Sequence, residues 1–386
     1  MKLTEDQLAI QQAVTELCAP FDDAYWHHIE AAGEYPKEFV QALTDAGWLA
    51  ALVPEEYGGA GGSIIDAAII LEALERAGCP TVVAHAQMYT MGTLLRHGSE
   101  EQKKRYLPGV ADGSIRFQSF GVTEPDAGSD TTRIRTFARR EGDEYIVNGS
   151  KIFTSRFNYS DVLMLLVRTQ KYDDVVKKTD GMTVLLVDIP EAVASGQIEA
   201  RPIETMMSHE TNELSIRDLR VPVANRIGEE GKGFRYILSG MNAERVLVAS
   251  EYIGHGLWFI DRATRYARER EVFGRPIGQN QGVQFPLAQA YANLHAASLA
   301  RWNAAELFMA GEQPQYEANS CKLLASQALW AAANAAMDTF GGYGVTKEYG
   351  IERRFREARL PLVAPLNNNV ILAGIAHGTL GLPKSY

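Results

Sequence analysis

The pattern of the chain changes twice, and this limits its folds more than any other feature. Up to about residue 116 apolar residues recur at helical spacing; after Thr4, Ile10, Val14 and Leu17 share a face. Thr4 with Gln7, and Ser99 with Gln102, have capping-box spacing, which predicts a helix start at each place. From 117 to about 229 the apolar residues come instead in short runs of strand length, Leu163–Val167 and Met182–Val187, on either side of a polar loop, Lys171–Asp180. Tyr145–Val147 followed by Asn148–Gly149 reads as a strand entering a hairpin turn. From about 230 long helical stretches return, Ala-rich between Ala325 and Met337. Helix, strand, helix predicts an α+β chain of three domains: 1–116 N-terminal helical, 117–229 middle β and 230–386 C-terminal helical. At 386 residues the chain is too long for one ordinary core.

A net charge of −10 argues against general nucleic-acid binding but leaves room for a local basic pocket that holds an anion. No apolar run approaches the roughly 18 residues of a membrane span. The start, Met1–Asp6, has neither a signal-peptide core nor the Arg-rich look of a transit peptide. Cys18, Cys79 and Cys321 are scattered and lack metal-ligand spacing, so reduced core thiols in a cytoplasmic protein without a metal site are expected.

Chemistry concentrates in a few segments. Phe120–Asp130 reads F-G-V-T-E-P-D-A-G-S-D, a turn-forming loop whose Gly128 permits close approach and whose Thr123 and Ser129 offer hydroxyls. Asn148–Ser155 reads N-G-S-K-I-F-T-S, and Arg268–Gln281 holds R-E-R-E-V-F-G-R-P-I-G-Q-N-Q. Phe340–Gly344 reads F-G-G-Y-G, followed by Glu348–Tyr349 and Arg353–Arg356. In this order, and spanning the chain from about residue 4 to its last turn, these segments resemble the acyl-CoA dehydrogenase family, flavoenzymes that oxidise acyl-CoA thioesters to the 2-enoyl form.

The resemblance implies an N-terminal helical domain, a middle β-barrel-like strand domain and a C-terminal four-helix bundle. It implies FAD as cofactor, an acyl-CoA substrate, an electron-transfer flavoprotein as acceptor and a homotetramer active in fatty or branched acyl catabolism. By position, Val122 and Thr123 would meet the pyrimidine edge of the flavin. Phe153 would stand beside the ring in place of a Trp, and Ser155 near N5 in place of a Thr. Arg270, Phe273 and Gln281 would reach the diphosphate and adenine of a neighbouring subunit's FAD, with Gly341 and Gly342 beside them. Asn367 and Asn369 would lie near the ribityl chain, and Gly128 and Ser129 near the acyl–pantetheine channel.

Removing a weakly acidic proton next to a thioester carbonyl requires a carboxylate and preorganised donors in a site that excludes water. The family's usual Glu in the C-terminal arm is replaced here: read without a gap, Pro365 stands there, with neither carboxylate nor N–H. Glu244, directly before Arg245, matches the alternative base position of the isovaleryl-CoA and long-chain branch, at a helix beginning or its first turns. A branched or bulky acyl group follows as an expectation. Pairing with Arg245 favours an ionised Glu244, whereas burial opposes it. His209 is expected as a polar loop residue. The alternatives are other chemistry on the same fold (a desulfinase, a nitroalkane oxidase-like reaction, oxidation of a carrier-protein thioester) or a non-catalytic FAD- or CoA-binding subunit.

Overall fold

The computed structural model describes residues 2–384. Six helices open the chain: α1 (Glu5–Cys18), α2 (Asp23–Ala32), α3 (Lys37–Asp45), α4 (Ile64–Ala77), α5 (Val82–His97) and α6 (Glu100–Asp112). Both expected capping boxes form, Thr4 with Gln7 at α1 and Ser99 with Gln102 at α6. Strands follow: β1 (Ser119–Gly121), β2 (Phe137–Glu141), β3 (Glu144–Ser155), β4 (Val162–Arg168) and β5 (Met182–Asp188). The short α7 (Ile189–Ala194) precedes β6 (Ile198–Pro202), β7 (Thr211–Pro222) and β8 (Arg226–Ile227). The last section holds α8 (Gly233–Glu269), a small hairpin of β9 (Glu271–Val272) and β10 (Arg275–Pro276), then α9 (Gln281–Met309), α10 (Gln315–Phe340), α11 (Ile351–Arg359) and α12 (Asn368–Gly378).

The middle strands form one mixed sheet in the order β6–β7–β3–β2–β4–β5–β8, with β1 added parallel to β4. β4 and β5 read as unbroken apolar runs because both faces of the sheet are covered there. Met164, Leu166, Val184 and Leu186 pack toward Leu94 of α5 and Leu107 of α6, while Leu163, Leu165, Leu185 and Val187 fill the opposite face. The first and last helical sections share a core in which Ile70 and Leu74 of α4 join Ile253 and Phe259 of α8, Leu294 of α9 and Leu329 of α10. Buried Ala325, Ala328, Ala332 and Ala336 keep α10 close to its neighbours. Helices α4 and α8 touch at Gly254, where a Cβ would come within 2.3 Å of Glu72 O.

Two local expectations are overturned. Asn148–Gly149 is not a hairpin turn: β3 runs through it with an irregular register against β7, and the β2–β3 turn is Gly142–Asp143. Asn148 exchanges hydrogen bonds with Asp218 of β7 (2.9 and 3.0 Å), and Gly149 lies so close to Thr136 that a Cβ would sit 2.5 Å from Oγ1. Cross-strand pairing therefore overrides the local turn preference. Glu244, in turn, is not in the first turns of its helix, because α8 begins at Gly233.

Candidate active site

Glu244 and Glu251 lie seven residues apart on α8, two helical turns along the same face. His85, in the first turn of α5, faces both: its Nε2 is 3.8 Å from Glu244 Oε1 and its Nδ1 3.4 Å from Glu251 Oε1. Glu75 near the end of α4 holds the start of α5 in place. Its Oε1 accepts from Thr81 N (2.9 Å) and Thr81 Oγ1 (2.8 Å), and its Oε2 pairs with Arg354 of α11. Arg354 also binds Glu357 (3.1 Å), which accepts from Ser208 Oγ of the strand domain at 2.6 Å. One polar network thus joins all three sections of the chain, from Thr81 and Glu75 through Arg354 and Glu357 to Ser208.

Burial splits the two carboxyls. Glu244 is 6% exposed, and desolvation raises it to about 7 against the opposing charges of Arg245 and Lys322. Glu251 is pushed well above its ordinary value by burial and by the neighbouring Glu75 and Glu244 carboxyls, which favours its neutral form. His85 is lowered to about 3 by burial and by the Arg156 charge, and is neutral. Two carboxyls with separated values are the arrangement from which one acts as a base near neutrality. The buried Lys322 Nζ donates to Pro361 O (2.7 Å), Leu366 O (2.7 Å) and Asn368 Oδ1 (2.8 Å), so it fixes the arm that carries Pro365. Tyr252 of α8 donates to Ala364 O at 3.2 Å.

A second cluster forms where the 120–130 loop meets β3. Lys151, fully buried, donates to Val122 O (3.0 Å) and Glu124 Oε1 (2.8 Å), and Ile152 N donates to Thr123 O (2.9 Å). Burial pushes the Glu124 carboxyl up, but Lys151 and bonds from Thr136 and Arg135 outweigh it and hold it low. These contacts hold Val122 and Thr123 against Lys151 and Ile152, directly before Phe153 in β3. Phe153 leaves its ring 60% exposed and has φ 57°, a left-handed conformation that is strained for an aromatic residue. Ser155 Oγ donates to Thr211 Oγ1 (3.1 Å). Gly128 and Ser129 are exposed at the far end of the loop, with open space at Gly128.

Elsewhere, Arg270 and Gly342 line a surface groove of about 420 Å³ with Tyr266, Phe340, Tyr343 and Thr346. The Arg270 guanidinium lies 5.8 Å from the Tyr343 ring centre. A Cβ at Gly341 or Gly342 would meet nothing within 4 Å. Phe273 stands fully exposed at the β9–β10 tip, and the exposed Gln281 begins α9. None of Val122, Thr123, Phe153 and Ser155 lines this groove.

Models of the N-terminal, middle and C-terminal domains of acyl-CoA dehydrogenases match residues 4–114, 119–219 and 231–377. The acyl-CoA dehydrogenase FadE12 of Mycobacterium tuberculosis is 31% identical over 386 residues, covering 99% of this chain and 98% of the relative. The chain belongs to the acyl-CoA dehydrogenase family. A 3-(aryl)acrylate reductase of Clostridium sporogenes is 32% identical over 93% of this chain and 94% of its own length. Among solved structures, an acyl-CoA dehydrogenase from Geobacillus kaustophilus superposes with a TM-score of 0.90 at 27% identity, covering 97% of this chain and 98% of that one. A glutaryl-coenzyme A dehydrogenase in complex with glutaryl-CoA gives 0.89 at 28%, covering 100% and 98%.

The protein is accordingly an oxidoreductase of the family that acts on CH–CH bonds, and its cofactor is FAD. The residues present suit that group. The exposed Phe153 ring offers a flat apolar wall, and the Thr123 and Ser155 hydroxyls on the adjoining segments suit a polar ring edge. The Arg270 groove, with open glycine backbone, has the donors a diphosphate requires. Asn367 spends its side-chain oxygen capping α12 through Asn369 N (2.8 Å), and Asn369 is exposed. His209 is half-buried rather than a free loop residue, lowered to about 4 by burial and the Arg156 charge. Sequence reading missed Lys151, Glu124, His85, Glu251 and Lys322. Lys151 and Glu124 sat inside quoted motifs and were detectable as an acid and a base in adjoining segments, whereas His85 and Glu251 carried no local signal. Among the described residues there is no His/Cys/Asp/Glu group that could hold a metal, and no helix is long and apolar enough to cross a membrane.

Proposed function

We propose that this protein dehydrogenates an acyl-CoA thioester to the 2-enoyl-CoA, with Glu244 as the base that removes the proton next to the carbonyl. The observation that carries this is a buried carboxyl raised to about 7 between α5 and α8, in a chain whose C-terminal arm has Pro365 where a base would otherwise stand. The bound flavin supplies the hydride acceptor, its N5. Burial withholds water from Glu244, Arg245 and Lys322 keep the anion accessible, and the neutral form favoured at Glu251 leaves Glu244 as the carboxylate of the pair. Val122, Thr123, Phe153 and Ser155 hold the ring, with their loop locked by Lys151. Gly128 and Ser129 border the pantetheine path. Arg270, Phe273, Gln281, Gly341 and Gly342, on a separate surface, serve the FAD of an adjoining copy in a homotetramer.

An electron-transfer flavoprotein takes the electrons in this reading, and the enzyme works in the cytoplasm. The domains divide at 116/117 and 229/230. The position of the base on α8 is the feature shared with the isovaleryl-CoA and long-chain branch. The test is anaerobic bleaching of the purified yellow protein by acyl-CoA thioesters. Glu244→Gln is expected to retain FAD and lose bleaching at least a thousandfold; near-normal bleaching in this variant excludes Glu244 as the base.

A further inference from the structure

Two polar atoms near Glu244 are buried without a hydrogen-bond partner: His85 Nε2 and Glu251 Oε1. Interiors rarely tolerate such atoms, since each forfeits its hydration without a replacement hydrogen bond. The 3.4 Å approach of His85 Nδ1 to Glu251 Oε1 does not supply that oxygen with a hydrogen bond. The placement of these atoms relative to the chemistry is specific. If Glu244 takes the proton beside the carbonyl, the rest of the acyl group passes within a few ångströms of its carboxylate. His85 lies 3.8 Å from the Glu244 carboxyl, and its other ring nitrogen lies 3.4 Å from Glu251.

Arg156, just past the end of β3, approaches the same region from the side of the Phe153 shelf. Its charge reaches Tyr35, Glu251, Glu210, His85 and His209, yet among the described residues its side chain makes no hydrogen bond or close ion pair, and its Nε is buried without a partner. A hydrocarbon acyl chain pressed against these groups would satisfy none of them. A site with unpaired polar groups rejects an apolar isostere far more strongly than an apolar pocket rejects a slightly larger one.

We propose that the acyl group of the substrate carries an oxygen function, a hydroxyl or a carboxylate, a few carbons from the thioester, and that His85, Glu251 and Arg156 bind it. The assignment rests on the reading of Glu244 as the base. Arg156 is a cation with donors and no acceptor, so the group it takes beside His85 and Glu251 is an acceptor.

The test compares isosteric thioesters by calorimetry on FAD-loaded, air-free Glu244→Gln protein and on the same protein carrying a second substitution. One pair is 4-hydroxybutanoyl-CoA and pentanoyl-CoA; the other is glutaryl-CoA and 5-methylhexanoyl-CoA. The oxygen-bearing member of one pair is expected to bind at least tenfold tighter, and the preferring pair tells hydroxyl from carboxylate. Adding His85→Leu or Glu251→Leu is expected to reduce that preference to threefold or less; should these fail to load FAD, His85→Gln and Glu251→Gln replace them. Equal or tighter binding of the hydrocarbon member in both pairs overturns the proposal, as does a preference unmoved by either substitution. Failure of the base assignment shows separately, as flavin reduction that survives Glu244→Gln.

Discussion

Glu244→Gln should stabilise the protein while it abolishes turnover, and the gain should depend on pH. In the folded chain the Glu244 carboxyl is raised from its ordinary 4.5 to about 7, chiefly by desolvation. The folded state therefore holds a proton that the unfolded chain releases between these values. A raised acid contributes its full stability below the unfolded value and loses it as pH rises through the folded one. At ~1.4 kcal/mol per pH unit the interval is worth ~3 kcal/mol. A glutamine has the same shape and carries no charge to desolvate, so it escapes this loss. The two proteins should be nearly equal at pH 4.5, and the variant should be ~3 kcal/mol more stable at pH 8. With an unfolding entropy of ~2.1 cal/mol/K per residue, this corresponds to a rise of ~4 °C in Tm for a chain of this size. Paired thermal melts of the FAD-loaded proteins across this range provide the assay. A constant difference, or a variant less stable at pH 8, would show that Glu244 is not desolvated in the folded enzyme and would refute the reasoning.

The same raised value predicts that flavin reduction in the wild type climbs about tenfold per pH unit below about 7 and levels off above it, as stopped-flow bleaching can read. Lys151→Met removes the cation beside buried Glu124 and should cost ~3–5 kcal/mol in urea unfolding, with weaker FAD retention as the Val122–Thr123 backbone loosens. Lys322→Met strips the donor from Pro361 O, Leu366 O and Asn368 Oδ1 and should cost ~3 kcal/mol, with faster proteolysis of the C-terminal arm. Arg270→Ala should weaken FAD binding tenfold or more in equilibrium dialysis while leaving Tm of the cofactor-free protein within ~1 °C, because its guanidinium faces an open groove.

The helix–strand–helix order was readable because it rests on local periodicity: Ile10, Val14 and Leu17 mark a helix face, and the apolar runs of β4 and β5 mark strands with both faces covered. The family was readable because its motifs are contiguous in the chain. Asn148–Gly149 was misread because a dipeptide does not specify its cross-strand partner, and Asp218 lies 70 residues away. The two-sided argument over Glu244 could be framed from Arg245 alone, but its outcome depends on how much water the fold removes, which no local pattern encodes. Glu75, His85 and Glu251 come from three different helices and meet only because Gly254 lets α4 and α8 touch and Thr81 ties α5 to Glu75. The amino-acid order thus specified the elements, the cofactor class and the residue that could serve as a base. Packing alone determined the charge state of that residue and the polar groups gathered near it, because desolvation and long-range proximity exist only once the chain has closed on itself.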